Sequence, residues 1–211
     1  MRRLPSALRK GIAHKASVAL LFFLASCAPG IPDNPDNACD IFKEKRSWYL
    51  SSFDIEKKYG LPMQVQLAII RQESSYVHDA KTPRKTFLGI PLWWRQSTAY
   101  GYVQALDGTW RDFQKATGDS SARRDNYDDS VKFLGWYNDI SFNRLKIRKN
   151  DAYNLYLAYH EGHGGWKRKT YLKKKWLMKV AKKVQRNSLI YGKQLSRCRK
   201  SLKSSWWAFW E

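Results

Sequence analysis

Apolar residues recur at helical spacing through most of the chain, and this periodicity constrains the fold more than any other feature. In the final segment, Leu172, Trp176, Val180 and Val184 follow one another along one side of a lysine-rich sequence. No strand-like run is long enough to build a main sheet, and no internal repeat is present. The pattern therefore predicts a mostly helical, all-α domain. We expect helices at residues 41–59, 62–77, 107–117, 126–147, 151–161 and 168–197.

The beginning of the chain has the layout of an export signal. Basic residues up to Lys15 precede the apolar run A-S-V-A-L-L-F-F-L-A-S, which is too short to span a bilayer comfortably. Its end, L-A-S-C at residues 24–27, resembles the lipobox of bacterial lipoproteins, in which the cysteine becomes the lipid-modified first residue. This resemblance implies a signal peptide at 1–26, a lipid on Cys27, and a periplasmic protein anchored to the outer membrane. The alternative is an ordinary cleaved signal with an incidental cysteine.

After the predicted signal, the sequence indicates a tether, a single domain and a tail. Residues 27–40 contain three prolines with Asn, Asp and Gly, and they are predicted to form a tether. A single folded domain is expected at 41–200, followed by an aromatic tail at 201–211 that either packs on the domain or meets a membrane interface. If Cys27 carries lipid, Cys39 and Cys198 remain as a pair, and an exported protein permits a disulfide between them.

The charge of the chain is strongly positive and unevenly distributed. The formal net charge is +21, and removing the five basic residues of the predicted signal leaves +16. After Glu161 no acidic residue appears before Glu211. Such a surface suits nucleic acid, phospholipid or a charged wall polymer, or it is simply a solvated helix face. The export signal and the lack of a recognised nucleic-acid motif lead us to expect no nucleic-acid partner.

A glutamate interrupts the apolar pattern of the predicted helix 62–77. At about 100° per residue, Glu73 falls between two apolar stripes, whereas a solvated glutamate is expected on the opposite, polar side. Either its carboxyl lies in water at the helix edge, or it is buried for a chemical purpose. The two stripes consist of Val65, Ile69 and Tyr76, and of Ile70 and Val77.

Three short motifs follow one another along the chain. They are Q-E-S-S-Y around Glu73, A-Y-G-Y-V-Q-A-L-D-G-T-W at 99–110 and Y-L-A-Y-H-E-G-H-G-G at 156–165. In this order they resemble the soluble lytic transglycosylases, lysozyme-like enzymes that cut bacterial peptidoglycan. The pattern of that family is Glu-Ser on a helix, then Gly-Leu-Met-Gln, then Ala-Tyr-Asn before a glycine-rich turn. The matching residues here are Glu73-Ser74, Gly101-Tyr102-Val103-Gln104 and Ala158-Tyr159-His160.

The resemblance implies a lysozyme-like domain that binds peptidoglycan glycan strands, acts as a monomer and needs no cofactor. Glu73 would cleave the β-1,4 bond between N-acetylmuramic acid and N-acetylglucosamine, first as acid and then as base, with a 1,6-anhydro product. Tyr159 would hydrogen-bond Glu73 or the substrate acetamide. The chain departs from the family pattern at two places: it has Tyr102-Val103 where the family has Leu-Met, and His160 where the family has Asn. Both differences bear on the shape of the groove. The residues expected to bind substrate are Ser74, Gly101, Tyr102, Gln104, Tyr159 and His160.

The acid role depends on the pKa of Glu73. A glutamate donates a proton near neutral pH only if its pKa is raised, and the positive charge of the chain acts in the opposite direction. A rise of two pH units in the pKa corresponds to about 3 kcal/mol of net disfavour for the charged form. We therefore expect burial among apolar and aromatic side chains to outweigh the cationic surroundings.

Other chemistries remain as alternatives. His160 and His163 are three residues apart, whereas a zincin helix places its histidines four apart, so the sequence predicts no metal site. Glu161 is the rival carboxylate to Glu73. A lysozyme-type hydrolase on the same scaffold and a catalytically idle peptidoglycan-binding lipoprotein are the competing hypotheses.

Overall fold

Seven α-helices make up most of residues 30–87 and 90–207, the part of the chain that this computed structural model describes. The predicted all-α fold is confirmed. The signal at 1–26, Cys27 and the end of the aromatic tail lie outside the described residues. The helices are α1 (Ala38–Glu44), α2 (Arg46–Tyr59), α3 (Met63–Ser74), α4 (Asp107–Thr117), α5 (Tyr127–Leu145), α6 (Ala152–Lys167) and α7 (Lys175–Trp207).

Local capping explains where the helices depart from the predicted ranges. The first helix begins at Ala38 because the side chain of Asn37 accepts hydrogen bonds from two backbone N–H groups of its first turn. Helix α3 ends three residues earlier than expected, since Ser75 and Tyr76 adopt left-handed backbone angles, with φ of 52° and 68°. The predicted helix 168–197 is divided into a short 3₁₀ helix, Thr170–Lys173, and α7, which continues to Trp207.

Helix α3 lies in the middle of the core. Every residue from Val65 to Ile70 is fully buried, and the helix packs chiefly against α7. The one polar side chain in this stretch, Gln66, donates its amide to the carbonyls of Ser52 and Leu61, at 3.0 and 2.8 Å. Each buried aliphatic side chain contributes about 1.5–3 kcal/mol of hydrophobic stabilisation. The burial holds α3 in a fixed position, and with it the turn that carries Glu73.

An aromatic cluster joins α2, α5 and the segment that follows residue 100. The rings of Trp48 and Tyr127 are stacked with centroids 4.1 Å apart, and Tyr102 meets both edge-on at 5.5 and 5.6 Å. Such offset and edge-to-face contacts are the favoured geometries of aromatic pairs. The cluster fixes the second motif against the core.

The long connection predicted at 81–98 contains a two-stranded antiparallel hairpin. Strand β1 is Arg84–Phe87 and strand β2 is Ile90–Arg95, with Arg84 paired to Arg95. The sequence did not predict these strands, because a proline lies inside β2 and prolines argue against regular strands. The hairpin stands outside the helical core, and its Trp93 is 83% exposed.

The predicted disulfide between Cys39 and Cys198 is present, with the two Cα atoms 6.0 Å apart. It joins α1 to the C-terminal half of α7, where Gln194 also accepts a hydrogen bond from the backbone N–H of Ala38 at 2.9 Å. None of the helices in the described ranges is both long and apolar enough to cross a bilayer.

Replacing Cys39 and Cys198 by serine should lower the free energy of unfolding by about 3–5 kcal/mol. The bridge spans 159 residues, so its loss greatly enlarges the unfolded ensemble. Denaturant titration under non-reducing conditions measures the difference. Cys39→Ser alone should lose about as much as the double variant, since either change breaks the bridge. Wild-type stability in the double variant would contradict this account.

Candidate active site

A cavity of about 470 Å³ opens beside the C-terminal turn of α3. Glu73 lies in its wall, together with side chains from the segment 99–106, from α5 and from α6. The volume falls in the range of ligand pockets in proteins. The lining residues are Glu73, Thr82, Ala99, Gln104, Ala105, Leu106, Thr109, Phe133, Tyr137, Tyr159, His160, Glu161 and Gly162.

The carboxyl of Glu73 is held in a largely apolar environment. Burial raises its pKa from the ordinary value of 4.5 to about 7, and a hydrogen bond from the hydroxyl of Tyr156 partly offsets that rise by favouring the charged form. Tyr156 is itself 4% exposed, and the adjacent carboxyl raises the pKa of its phenol beyond the rise that burial causes. A substantial fraction of Glu73 is therefore protonated at neutral pH, as a general acid requires.

The backbone after Glu73 explains why the carboxyl points into the cavity. Ser75 closes the helix with a left-handed residue whose N–H donates to the carbonyl of Arg71 at 3.1 Å. Tyr76 then turns back into the core, where its hydroxyl lies 3.3 Å from the Leu67 carbonyl and 3.1 Å from the Tyr191 hydroxyl. Glu73 is thus the last charged residue before the chain reverses.

The structure does not support Ser74 as a substrate-binding residue. Its side chain is buried, and its hydroxyl donates to the carbonyl of Ile70, 3.3 Å away, within the same helix. Ser74 does not line the cavity. Its role is local, because the hydroxyl satisfies its own hydrogen-bonding needs inside α3.

Gly101 and Tyr102 also face the protein, and neither lines the cavity, although we expect both to bind substrate. A Cβ on Gly101, whose φ is +80°, would lie 2.1 Å from the carbonyl oxygen of Arg124. The glycine thus permits a close approach of two backbone segments, not of backbone to substrate. Tyr102 is fully buried against Trp48 and Tyr127. Its aromatic ring fills the core.

Gln104, Tyr159 and His160 line the cavity, and their contact with substrate stays a prediction. The amide of Gln104 donates to the carbonyls of Ala80 and Gly101, both at 2.9 Å, and so fixes the loop that forms one wall. The hydroxyl of Tyr159 donates to the carbonyl of Val103 at 2.5 Å. The resemblance implies that Tyr159 hydrogen-bonds either Glu73 or the substrate acetamide. Glu73 accepts a hydrogen bond from Tyr156, one helical turn earlier.

Glu161 is held in an ion-paired network at the edge of the same cavity. Lys174 Nζ lies 2.7 Å from its Oε1, His160 Nδ1 lies 3.1 Å from the same oxygen, and the hydroxyl of Thr170 donates to Oε2. Although burial acts to raise the pKa of this carboxyl, these hydrogen bonds outweigh it and hold the pKa at about 2. Glu161 is therefore ionised, with both oxygens engaged.

Several residues of the site were not among the predicted site residues, although Tyr156 begins the third motif. Tyr156 precedes Tyr159 by three residues, so the two share one helix face, and that spacing could have identified it. Phe133 and Tyr137, on α5, supply an aromatic wall but look like ordinary core residues in the sequence. Arg124 braces the second motif by donating to the carbonyls of Thr98 and Ala105, at 3.0 and 2.8 Å.

The two histidines of the third motif lie in different environments. His160 contacts Glu161, whereas His163 stacks on Tyr137 with ring centroids 4.4 Å apart and places Nε2 3.0 Å from the hydroxyl of Ser141. Burial lowers the pKa of His163. Within the described ranges, no group of three or more His, Cys, Asp or Glu side chains is arranged to hold a metal ion.

Comparison with known proteins identifies the family of the chain. A family model described as the transglycosylase SLT domain matches residues 15–198, a range that contains Glu73 and all three motifs. A search of curated proteins finds no match. The predicted family resemblance is thus confirmed. The chain belongs to the transglycosylase SLT domain family, and at family level it is a lysozyme-like peptidoglycan lytic transglycosylase.

Proposed function

We propose that the chain cleaves the β-1,4 bond between N-acetylmuramic acid and N-acetylglucosamine, with Glu73 as the catalytic group and a 1,6-anhydro sugar as product. The observation that carries the proposal is the pKa of Glu73, about 7, in the wall of a cavity of glycan-binding size. A carboxyl that is half protonated near neutral pH can give up a proton and later take one back.

The proposed reaction needs one carboxyl and no water. Protonated Glu73 gives its proton to the glycosidic oxygen, and the bond from that oxygen to C1 of the muramic acid breaks. The oxocarbenium-like centre at C1 is attacked by the 6-hydroxyl of the same sugar, whose proton passes to the Glu73 carboxylate. The new C1–O6 bond gives the 1,6-anhydro end, the leaving sugar keeps a free 4-hydroxyl, and Glu73 is protonated again.

A lysozyme-type hydrolase is the second candidate, because two carboxyls with widely separated pKa values line one cavity. That pattern is typical of glycosidases that combine an acid with an ionised nucleophile or base. Glu161, however, is 4% exposed and bonded through both oxygens to Lys174, Thr170 and His160. It is poorly placed to attack a sugar or activate water, so we favour the intramolecular reaction.

The location of the enzyme is part of the proposal. The signal-like sequence at 1–26 and the lipobox-like residues 24–27 support export to the periplasm and lipid attachment at Cys27. A disulfide between Cys39 and Cys198 suits that oxidising compartment. We infer that the protein is a monomer anchored by lipid to the outer membrane, with peptidoglycan strands as its partner.

Glu73→Gln should fold normally and release no soluble muropeptides from purified peptidoglycan, because the amide cannot donate the required proton. The wild-type protein should release muropeptides that end in 1,6-anhydro-N-acetylmuramic acid, as mass spectrometry of the products will show. Glu161→Gln is the matched control and should keep most of the turnover. Equal loss in both variants would refute the assignment of Glu73, and reducing-end products would indicate hydrolysis.

Tyr156→Phe should shift the alkaline limb of the pH profile of kcat/KM upward by about one pH unit. The lost hydrogen bond favours the charged carboxylate, so its removal raises the pKa of Glu73 further. Tyr153→Phe, on the same helix but outside the cavity, should leave the profile unchanged. An unshifted profile in Tyr156→Phe would show that this tyrosine does not act through Glu73.

Glu73→Gln should also be more stable than the wild type at pH 8, by up to about 3 kcal/mol, and equally stable at pH 4. The folded protein keeps the Glu73 proton up to about pH 7, whereas the unfolded chain loses it near 4.5. Because the folded state binds more protons in this window, the free energy of unfolding falls as the pH rises. Denaturant titrations at several pH values measure the difference.

Glu161→Gln should change the free energy of unfolding in the opposite direction. The Glu161 pKa of about 2 lies below its ordinary value of 4.5, so its stabilising effect is present above pH 4.5 and is lost as the pH falls towards 2. This variant should be less stable than the wild type at pH 7 and approach it near pH 2. The same pH dependence in both variants would contradict the assigned protonation states.

A further inference from the structure

Helix α7 extends from the cavity to the disulfide and beyond it. At its beginning, Trp176 meets the ring of His160 edge-on at 5.2 Å, and His160 lines the cavity. Towards its other end, Cys198 is bonded to Cys39 of α1. With a rise of 1.5 Å per residue, the 22 residues from Trp176 to Cys198 span about 33 Å. The helix therefore separates the cavity from the place where the N-terminal segment joins the domain.

That N-terminal segment is fixed onto the middle of α7, at Tyr191 and Gln194, before α1 begins. The carbonyl of Pro35 accepts a hydrogen bond from the Tyr191 hydroxyl at 2.6 Å, and the carbonyl of Asp36 accepts one from the Gln194 amide at 3.0 Å. Pro32 is already buried. From Cys27 to Pro32 the chain extends at most about 18 Å. A lipid on Cys27 would therefore bring a bilayer surface close to the C-terminal end of α7.

This end of α7 presents a basic surface, which we define as Lys193, Arg197, Lys200 and Lys203. The four positions follow helical spacing on one side of α7, and all four residues are exposed. No described residue forms an ion pair with any of them.

The neighbouring residues leave that positive charge largely uncompensated. No acidic residue occurs between 162 and 210. Three of the four acids of α1 and its lead-in are engaged elsewhere: Asp36 pairs with Arg71, Glu44 with Lys45, and Asp40 accepts from Asn34, while Asp33 is exposed. Glu56 pairs with Arg199, which lies outside the basic surface.

We propose that the basic surface of Lys193, Arg197, Lys200 and Lys203 docks on anionic phospholipid headgroups beside the lipid anchor. This inference rests on the proposed acylation of Cys27. Clustered Lys and Arg residues next to an anchor are attracted to anionic lipids, and one acyl chain with a basic patch is a common two-part membrane signal. Exposed Leu189, at 65%, and Ile190, at 46%, lie at the edge of the surface.

The sequence beyond the basic surface also favours contact with a membrane. It continues with W-W-A-F-W at 206–210, and aromatic residues of this kind favour the boundary between lipid and water. The cavity lies near the other end of the helix, about 30 Å along its axis from the basic surface. Docking through the basic surface alone therefore leaves the cavity outside the contact with the membrane.

The test uses the acylated, exported protein reconstituted into two kinds of vesicle, one of phosphatidylethanolamine and one that also contains phosphatidylglycerol. An amine-acetylating reagent and mass spectrometry give the labelling rate of each lysine. On the anionic vesicles, Lys193, Lys200 and Lys203 should react about fivefold more slowly than on the neutral ones. Lys175, Lys179 and Lys182, exposed on the same helix near the cavity, are the matched controls and should change little.

High salt should abolish the protection, because screening weakens attraction between exposed charges. Equal labelling on both vesicles would overturn the proposal, and equal protection along the whole of α7 would replace it with a helix lying flat on the membrane. Protection of Lys193, Lys200 and Lys203 by peptidoglycan but not by vesicles would assign the surface to the wall polymer. The protein mass reports acylation and muropeptide release reports activity, so failure of either earlier proposal is seen separately.

Discussion

Helix α3 is enclosed by other elements from Val65 to Ile70, and this burial fixes where the last turn of the helix can lie. Because no residue in that stretch can move without opening the core, the carboxyl of Glu73 is carried to one position at the cavity wall. The left-handed residues Ser75 and Tyr76 then end the helix and return the chain to the core. Packing alone therefore places a charged group where solvent cannot fully stabilise its ionised form.

The two carboxyls of the cavity show how local surroundings override the net charge of +21. Glu73 has a tyrosine as its hydrogen-bonding partner and keeps a raised pKa, even though the whole chain is cationic. Glu161 is paired with Lys174 and has a lowered pKa. Direct partners and burial decide both outcomes, since exposed charges farther away are screened by water and salt. The same separation suits one carboxyl to proton transfer and the other to holding α6 against the 3₁₀ helix and Lys174, which precede α7.

Helical periodicity was enough to predict most of the helices, and the order of the motifs was enough to predict the carboxyl that lines the cavity. The disulfide followed from the two cysteines that remain once Cys27 is assigned to a lipid. The sequence was less informative wherever a side chain's direction depends on tertiary packing. Tyr102 and Gly101 lie inside a motif yet serve the core and a backbone crossing, while Tyr156 makes one of the two contacts expected of Tyr159. The hairpin was missed because Pro91 argues against a strand, and the early end of α3 depends on Tyr76 packing back into the core.

The protonation state of Glu73 is the central claim, and a direct titration tests it best. Carboxyl ¹³C resonances of a protein labelled at the glutamate side chains can be followed by NMR against pH, with Glu73 assigned as the signal missing from Glu73→Gln. The account predicts an apparent pKa near 7 for that resonance and one near 2 for Glu161. A Glu73 resonance that titrates near the ordinary value of 4.5 would mean that the carboxyl is ionised at neutral pH, and the proposed acid role would fail.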